Sequence, residues 1–229
     1  MTANAASTST TVSARTLRIA VFGAAGQVGR RIVAEAARRA HRVTAVTRAQ
    51  PDPGALPLGV TGIRRDVASA DDLVAIAADH DLVISALRPP DGQEPQLLDL
   101  TAAVVNAART AGTRFLVVGG SAPLRLPDDP EHTVLTAPGF LPDAYRPIAT
   151  ACQQQHDWIL DRLDGIGAYL CPPADLAPGT RTGAYRVDDD TLIVDQRGES
   201  RISIEDFAVA ILDEAERPAH TGRRFTVGA

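Results

Sequence analysis

Residues 17–40 read LRIAVFGAAGQVGRRIVAEAARRA. The apolar run 17–22 meets Gly23, Gly26 and Gly29 in a G-x-x-G-x-x-G spacing, and Val28, Ile32, Val33 and Ala36 then recur at helical spacing. The pattern predicts a strand, a tight turn and a helix. Each glycine has a separate reason. Gly23 lets the chain turn sharply out of the strand, Gly26 lets backbone N–H groups approach a pyrophosphate, and Gly29 lets helix and strand lie close. The helix N-terminus then offers unpaired N–H groups and the positive end of its dipole to an anion. No acidic residue stands inside the turn. Gly23, Ala25, Gly26, Gln27, Val28 and Gly29 therefore form a predicted dinucleotide cradle. The competing reading is a tight turn that binds nothing.

Further strands are expected at 41–47, 62–65, 82–85, 114–118, 166–170 and 223–227, with helices at 70–79, 97–111, 144–163 and 203–216. Such alternation predicts an α/β fold with a doubly wound, mainly parallel sheet, and ligands at the carboxyl ends of its strands. The second strand ends in Arg48, with no acid before Asp52. An acid at this position suits the ribose 2′-OH of NAD, whereas arginine suits the 2′-phosphate of NADP, so NADPH is expected over NADH. Asp66 and Val67 either flank the adenine or, for Asp66, cap the helix expected from 70. Ala86 and Leu87 leave the fourth strand, and Gly120 follows the fifth; these small or neutral residues allow the ribose and nicotinamide to pass close to the backbone. Segments 119–143 and 174–183 read as loops, and 184–187 with 192–194 as a hairpin about Asp188, Asp189 and Asp190, a solvated turn rather than a metal site.

Composition sets limits. The net charge of −5 argues against nucleic acid as a partner. No apolar run approaches the roughly 18 residues of a membrane span. Two cysteines, Cys152 and Cys171, are too few for a disulfide framework and suit a cytoplasmic location. Residues 1–15 lack the basic start and apolar centre of a signal peptide and read as a disordered tail, leaving 16–229 as one domain. A small-molecule substrate and a monomer or homodimer are expected. All 23 basic residues are arginine, so no lysine is available for catalysis. Nothing has metal-ligand spacing.

The motif GAAGQVG, the strand-end TR, the RD-V pair, VISAL, RFLVVGGSA and the segment from Pro172 to Val227 resemble the NAD(P)H-binding atypical short-chain dehydrogenases. The particular branch is the bacterial NADH-flavin reductase group, related to biliverdin reductase B and to NmrA-like proteins. The resemblance implies a Rossmann domain with a small C-terminal substrate lobe. It also exposes a departure. Short-chain dehydrogenases commonly pair a serine with Tyr-x-x-x-Lys, but Tyr145 is followed four residues later by Ala149, and Cys152 to Gln155 holds CQQQ. Ser121, where the superfamily places its serine, Tyr145 and His156 are the catalytic candidates, with His132 behind them. Cys152, Cys171 and Trp158 read as packing residues. The expected activity is NADPH-dependent hydride transfer to a flavin, a quinone or a similar conjugated molecule. Alternatives are a non-redox isomerase, cyclase or dehydratase, and a dinucleotide sensor.

Overall fold

The computed structural model describes residues 15–229; the first 14 residues of the expected tail lie outside them. The elements run β1 (Arg18–Phe22), α1 (Gln27–Arg38), β2 (Arg42–Thr47), β3 (Val60–Arg64), α2 (Leu73–Ala78), β4 (Leu82–Ser85), α3 (Gln96–Ala111), β5 (Arg114–Val118), α4 (Arg146–Leu160), β6 (Gly167–Cys171), β7 (Asp175–Ala177), β8 (Arg186–Asp188), β9 (Arg201–Ser203), α5 (Ile204–Glu216) and β10 (Arg224–Gly228). Eight strands form one sheet in the order β3-β2-β1-β4-β5-β6-β10-β8. Every pair in it is parallel except β10 with β8. This is a Rossmann-like α/β fold.

Burial on both faces explains why β1 is almost wholly apolar. Ile19 and Val21 join one core with Ile32 of α1 and Phe207 of α5. Ala20 and Phe22 join the other, with Ile76 of α2, Val104 of α3 and Ile159 of α4. The strand order reverses between β1 and β4, so the crevice beyond their carboxyl ends is the topological switch point. Ser203 accepts a hydrogen bond from the Asp206 N–H and so starts α5. On the α1–α5 side, buried Glu35 accepts from Arg38, Arg39 and Arg181, and Arg39 continues to Asp213 and Glu216. The C-terminal lobe is thereby tied to α1.

Three expectations need correction. The loop expected at 174–183 contains β7, which pairs in parallel with β9. No hairpin joins 184–187 to 192–194: β8 instead closes the sheet edge against β10, with Thr226 opposite Asp188. Its acidic turn is consumed by ion pairs, Asp190 with Arg224 and Asp189 with Arg223 at 3.8 Å. Finally, α2 begins only at Leu73. The Asp66 carbonyl and carboxylate accept from Ser69, Ala70 and Ala68 N–H groups, holding a separate turn before it. Among the described residues, no helix is long and apolar enough to cross a membrane, and no three His, Cys, Asp or Glu side chains are placed to hold a metal.

Candidate functional site

The glycine turn lies at the switch point. Gly23 has φ +80°, and a Cβ there would stand 2.4 Å from the Ala86 carbonyl oxygen, so both conformation and space demand glycine. A Cβ on Gly29 would stand 2.1 Å from the Gly23 oxygen; this residue sets how closely α1 approaches β1. Gly26 differs. Its backbone is ordinary extended chain (φ −68°, ψ 168°), and its added Cβ would meet only the Gly23 oxygen, at 3.2 Å. Ala25, Gly26 and Gln27 are exposed and Val28 half-buried. Among the described residues, the N–H groups of Gln27, Val28 and Gly29 have no hydrogen-bond partner. An exposed helix start with three free donors and no blocking side chain fits a pyrophosphate.

At the same sheet edge, Arg48 leaves β2 exposed, and no carboxylate lies within ion-pairing distance of its guanidinium among the described residues. Its carbonyl accepts from Arg64 Nε at 3.3 Å. Arg65 is engaged by Asp72 at 2.6 Å. Asp66 caps its own turn and not α2, and Val67 is buried beside it. Both follow β3, one strand out from β2.

Ala86, Leu87, Gly119, Gly120 and Ser121 are all partly exposed where β4 and β5 end. A Cβ on Gly120 would lie 2.6 Å from Cys152 Sγ, so α4 passes directly beneath this turn. Tyr145, Ala149 and Cys152, at i, i+4 and i+7, share one face of α4. Tyr145 stands at the head of that stripe, 59% exposed, with no hydrogen bond to its hydroxyl among the described residues. Ala149 occupies the Tyr+4 position of the superfamily lysine and is packed with Leu97, Ala122 and Cys152. The structure therefore sets Ser121 just after β5 and Tyr145 just before α4, and Ala149, four residues after Tyr145, belongs to the core.

His156 is not with them. It lies eleven residues after Tyr145, roughly 16 Å down the helix, and is buried against Tyr169, β10 and the Asp190 turn. Its Nε2 is 3.0 Å from Arg224 Nη1 and its Nδ1 is 3.0 Å from Asp157 Oδ1. A guanidinium only donates, so Nε2 accepts and Nδ1 carries the proton. Burial pushes its pKa down, and the ring is a neutral structural bridge rather than an acid or base at the site. His132 is a loop residue paired with Asp129 at 2.7 Å. Burial pushes the Cys152 thiol up to about 11 and the Cys171 thiol up to about 12, so both are unreactive core thiols.

One feature is invisible in the sequence. Tyr169 donates to Gln155 Oε1 (2.9 Å), Gln155 Nε2 donates to Thr101 Oγ1 (2.7 Å), and Thr101 donates to the Leu97 carbonyl (2.8 Å). This buried chain locks β6, α4 and α3 together below the site. The CQQQ string marks the missing lysine, but its spacing alone does not reveal that Gln155 points inward.

Comparison with known proteins identifies a family and several relatives. A family described as NAD(P)H-binding matches residues 23–215. The uncharacterized protein YwnB of Bacillus subtilis is 34% identical over 216 residues, covering 92% of this chain and 98% of that protein. A solved structure from Bacteroides thetaiotaomicron, provisionally named an epimerase, has 32% identity and a TM-score of 0.81, covering 93% of this chain and 97% of that one. Another from Streptococcus pneumoniae, provisionally named an NADH-flavin reductase, has 27% identity and a TM-score of 0.83, with coverage of 93% and 99%.

Proposed function

Because the chain belongs to the NAD(P)H-binding family, we propose that it is an oxidoreductase that uses NADPH to reduce a planar, conjugated small molecule such as a flavin or a quinone. The observation that carries this is the open glycine turn at the switch point, with its free N–H groups on the same edge as the unpaired Arg48. NADPH, when bound, supplies the hydride. The N–H groups of Gln27, Val28 and Gly29 hold its pyrophosphate, Arg48 holds the 2′-phosphate, and Asp66 and Val67 border the adenine. Ala86, Leu87 and Gly120 leave room for the ribose and nicotinamide. The hydroxyls of Ser121 and Tyr145 face the acceptor. With alanine in the lysine position, no lysine activates Tyr145 from four residues along α4. The acceptor is therefore one whose reduction needs orientation more than strong acid catalysis, which suits a flavin.

A second reading follows from the same Ala149: a non-redox enzyme on this scaffold, with Ser121 or Tyr145 moving a proton. The provisional name of the Bacteroides relative favours it.

The test is calorimetric titration with NADPH and with NADH, followed by absorbance assays with flavins and quinones. A guanidinium–phosphate contact contributes about 1.5–3 kcal/mol, so Arg48→Ala is expected to weaken NADPH roughly 10- to 150-fold and NADH little. Equal affinity for both dinucleotides in the wild type would refute the cofactor preference. Tight binding with no oxidation of NADPH by any acceptor would move the reading to the non-redox enzyme or a sensor.

A further inference from the structure

The rim of this site carries an arginine that the cofactor does not require. In the β4–β5 pairing Ser85 lies opposite Val117. Arg88 comes three residues after Ser85 and Gly120 three after Val117, so both leave neighbouring strands at the same carboxyl edge, and Gly120 is the residue whose added Cβ would touch Cys152. Arg88 therefore leaves the sheet beside the first turns of α4. Its positive charge reaches the Cys152 thiol buried there, opposing the effect of burial.

Arg88 has no firm partner. Its side chain is 63% exposed, and its ion pair is with Asp91, 92% exposed, at 3.5 Å. Arg146, in the first turn of α4, is similar, paired at 3.6 Å with Asp143, which is 99% exposed. Pairs this open contribute little and compete poorly with a ligand anion. The segment that leads into α4 exposes two aromatics, Phe140 and Tyr145. Two arginines of the lobe are committed: Arg181 to Glu35, and Arg224 to Asp190 and His156. Aromatic surface takes a planar ring, and a free guanidinium takes a carboxylate or phosphate bidentately.

We propose that Arg88 anchors the anionic group of the acceptor, so that the substrate is a planar conjugated molecule bearing a phosphate or carboxylate. This rests on the reductase reading above. The overall transfer balances as NADPH + H⁺ + oxidised flavin → NADP⁺ + dihydroflavin, with the proton from solvent. Arg88 takes no part in the bond changes and acts through binding.

FMN and riboflavin share the ring and differ by one phosphate, which makes them the probe pair. Two readouts are taken: kcat/KM for NADPH oxidation, and Kd from flavin fluorescence quenching with the NADP⁺-loaded protein. The wild type is expected to favour FMN by about tenfold or more in both. Arg88→Gln is expected to bring the ratio close to one, Arg88→Lys to keep part of it, and the NADPH affinity to stay that of the wild type. No FMN preference in the wild type, a preference retained in Arg88→Gln, or a loss of NADPH binding in that variant would each overturn the assignment. If neither flavin oxidises NADPH, the flavin reading of the acceptor fails. The binding ratio still decides the role of Arg88: a phosphate preference abolished by Arg88→Gln upholds it, and equal or absent binding overturns it.

Discussion

Replacing Gly26 by alanine separates cofactor binding from folding. The new methyl group meets only the Gly23 oxygen, at 3.2 Å, on a backbone (φ −68°, ψ 168°) that alanine adopts freely. That tight contact is offset by the smaller conformational entropy alanine gives the unfolded chain, about 0.4–1 kcal/mol. The apo protein should therefore stay within about 1 kcal/mol of wild type, or roughly 4 °C in Tm for a chain of this size. The same methyl projects from an exposed position at the start of α1, beside the unpaired N–H groups that would meet the pyrophosphate. Losing one charge-assisted hydrogen bond costs about 1.5–3 kcal/mol, roughly 10- to 150-fold in Kd. Gly29→Ala is the contrasting control. Its methyl would lie 2.1 Å from the Gly23 oxygen and 2.9 Å from the Ala24 Cα, both backbone atoms. Overpacking of this kind costs about 1–3 kcal/mol, or a Tm loss of roughly 2–12 °C. The assay is a thermal melt of each apo variant beside NADPH calorimetry. Wild-type NADPH affinity in Gly26→Ala would refute the placement of the pyrophosphate, and a larger Tm loss there than in Gly29→Ala would refute the division of roles.

Two further outcomes test the scaffold. Burial acts to raise the Glu35 pKa, but Arg38, Arg181 and Arg39 outweigh it and hold the carboxyl far below its usual range. A depressed carboxyl stabilises the fold above its unfolded pKa and loses that contribution as pH falls toward its folded one. Glu35→Gln should therefore lower Tm at pH 7 by an amount equivalent to about 2–3 kcal/mol, at the low end for a buried pair because Arg39 keeps Asp213 and Glu216. The gap should narrow at pH 3, and an equal gap at both pH values would refute the linkage. Cys152 and Cys171, with thiols pushed up to about 11 and about 12, should resist iodoacetamide at pH 7.5 until the chain is unfolded. Rapid labelling of the native protein, read by mass spectrometry, would contradict their burial.

The strands that carry the cofactor site are legible in the sequence because each is a short, doubly buried run with a breaker behind it. β1, β4 and β5 fall where the pattern places them, and Gly112, at φ +67°, ends α3 in the expected way. The C-terminal lobe is not legible by that rule. β7 and β9 are three residues each, paired 26 residues apart, and too short for alternation to mark them; they exist because the neighbouring backbone supplies partners. The acidic run at Asp188 has turn chemistry, yet its flanking strand pairs with β10, and the Arg186 guanidinium bonds the Val194 and Ala229 carbonyls across the place where a hairpin partner would lie. The candidate catalytic residues divide in the same way. Ser121 and Tyr145 are candidates by chain position relative to β5 and α4, and the fold keeps those positions. His156 is a candidate by its side-chain chemistry, and chemistry alone does not say which end of a helix faces a ligand. One turn beyond Cys152, the stripe that begins at Tyr145 has already passed below the sheet edge, and a histidine there meets Arg224 and Tyr169 in the core. What separates exposed Tyr145 from buried His156 along α4 is thus height above the sheet. The sequence encodes that height through the helix start at Arg146, and the identity of the side chain does not.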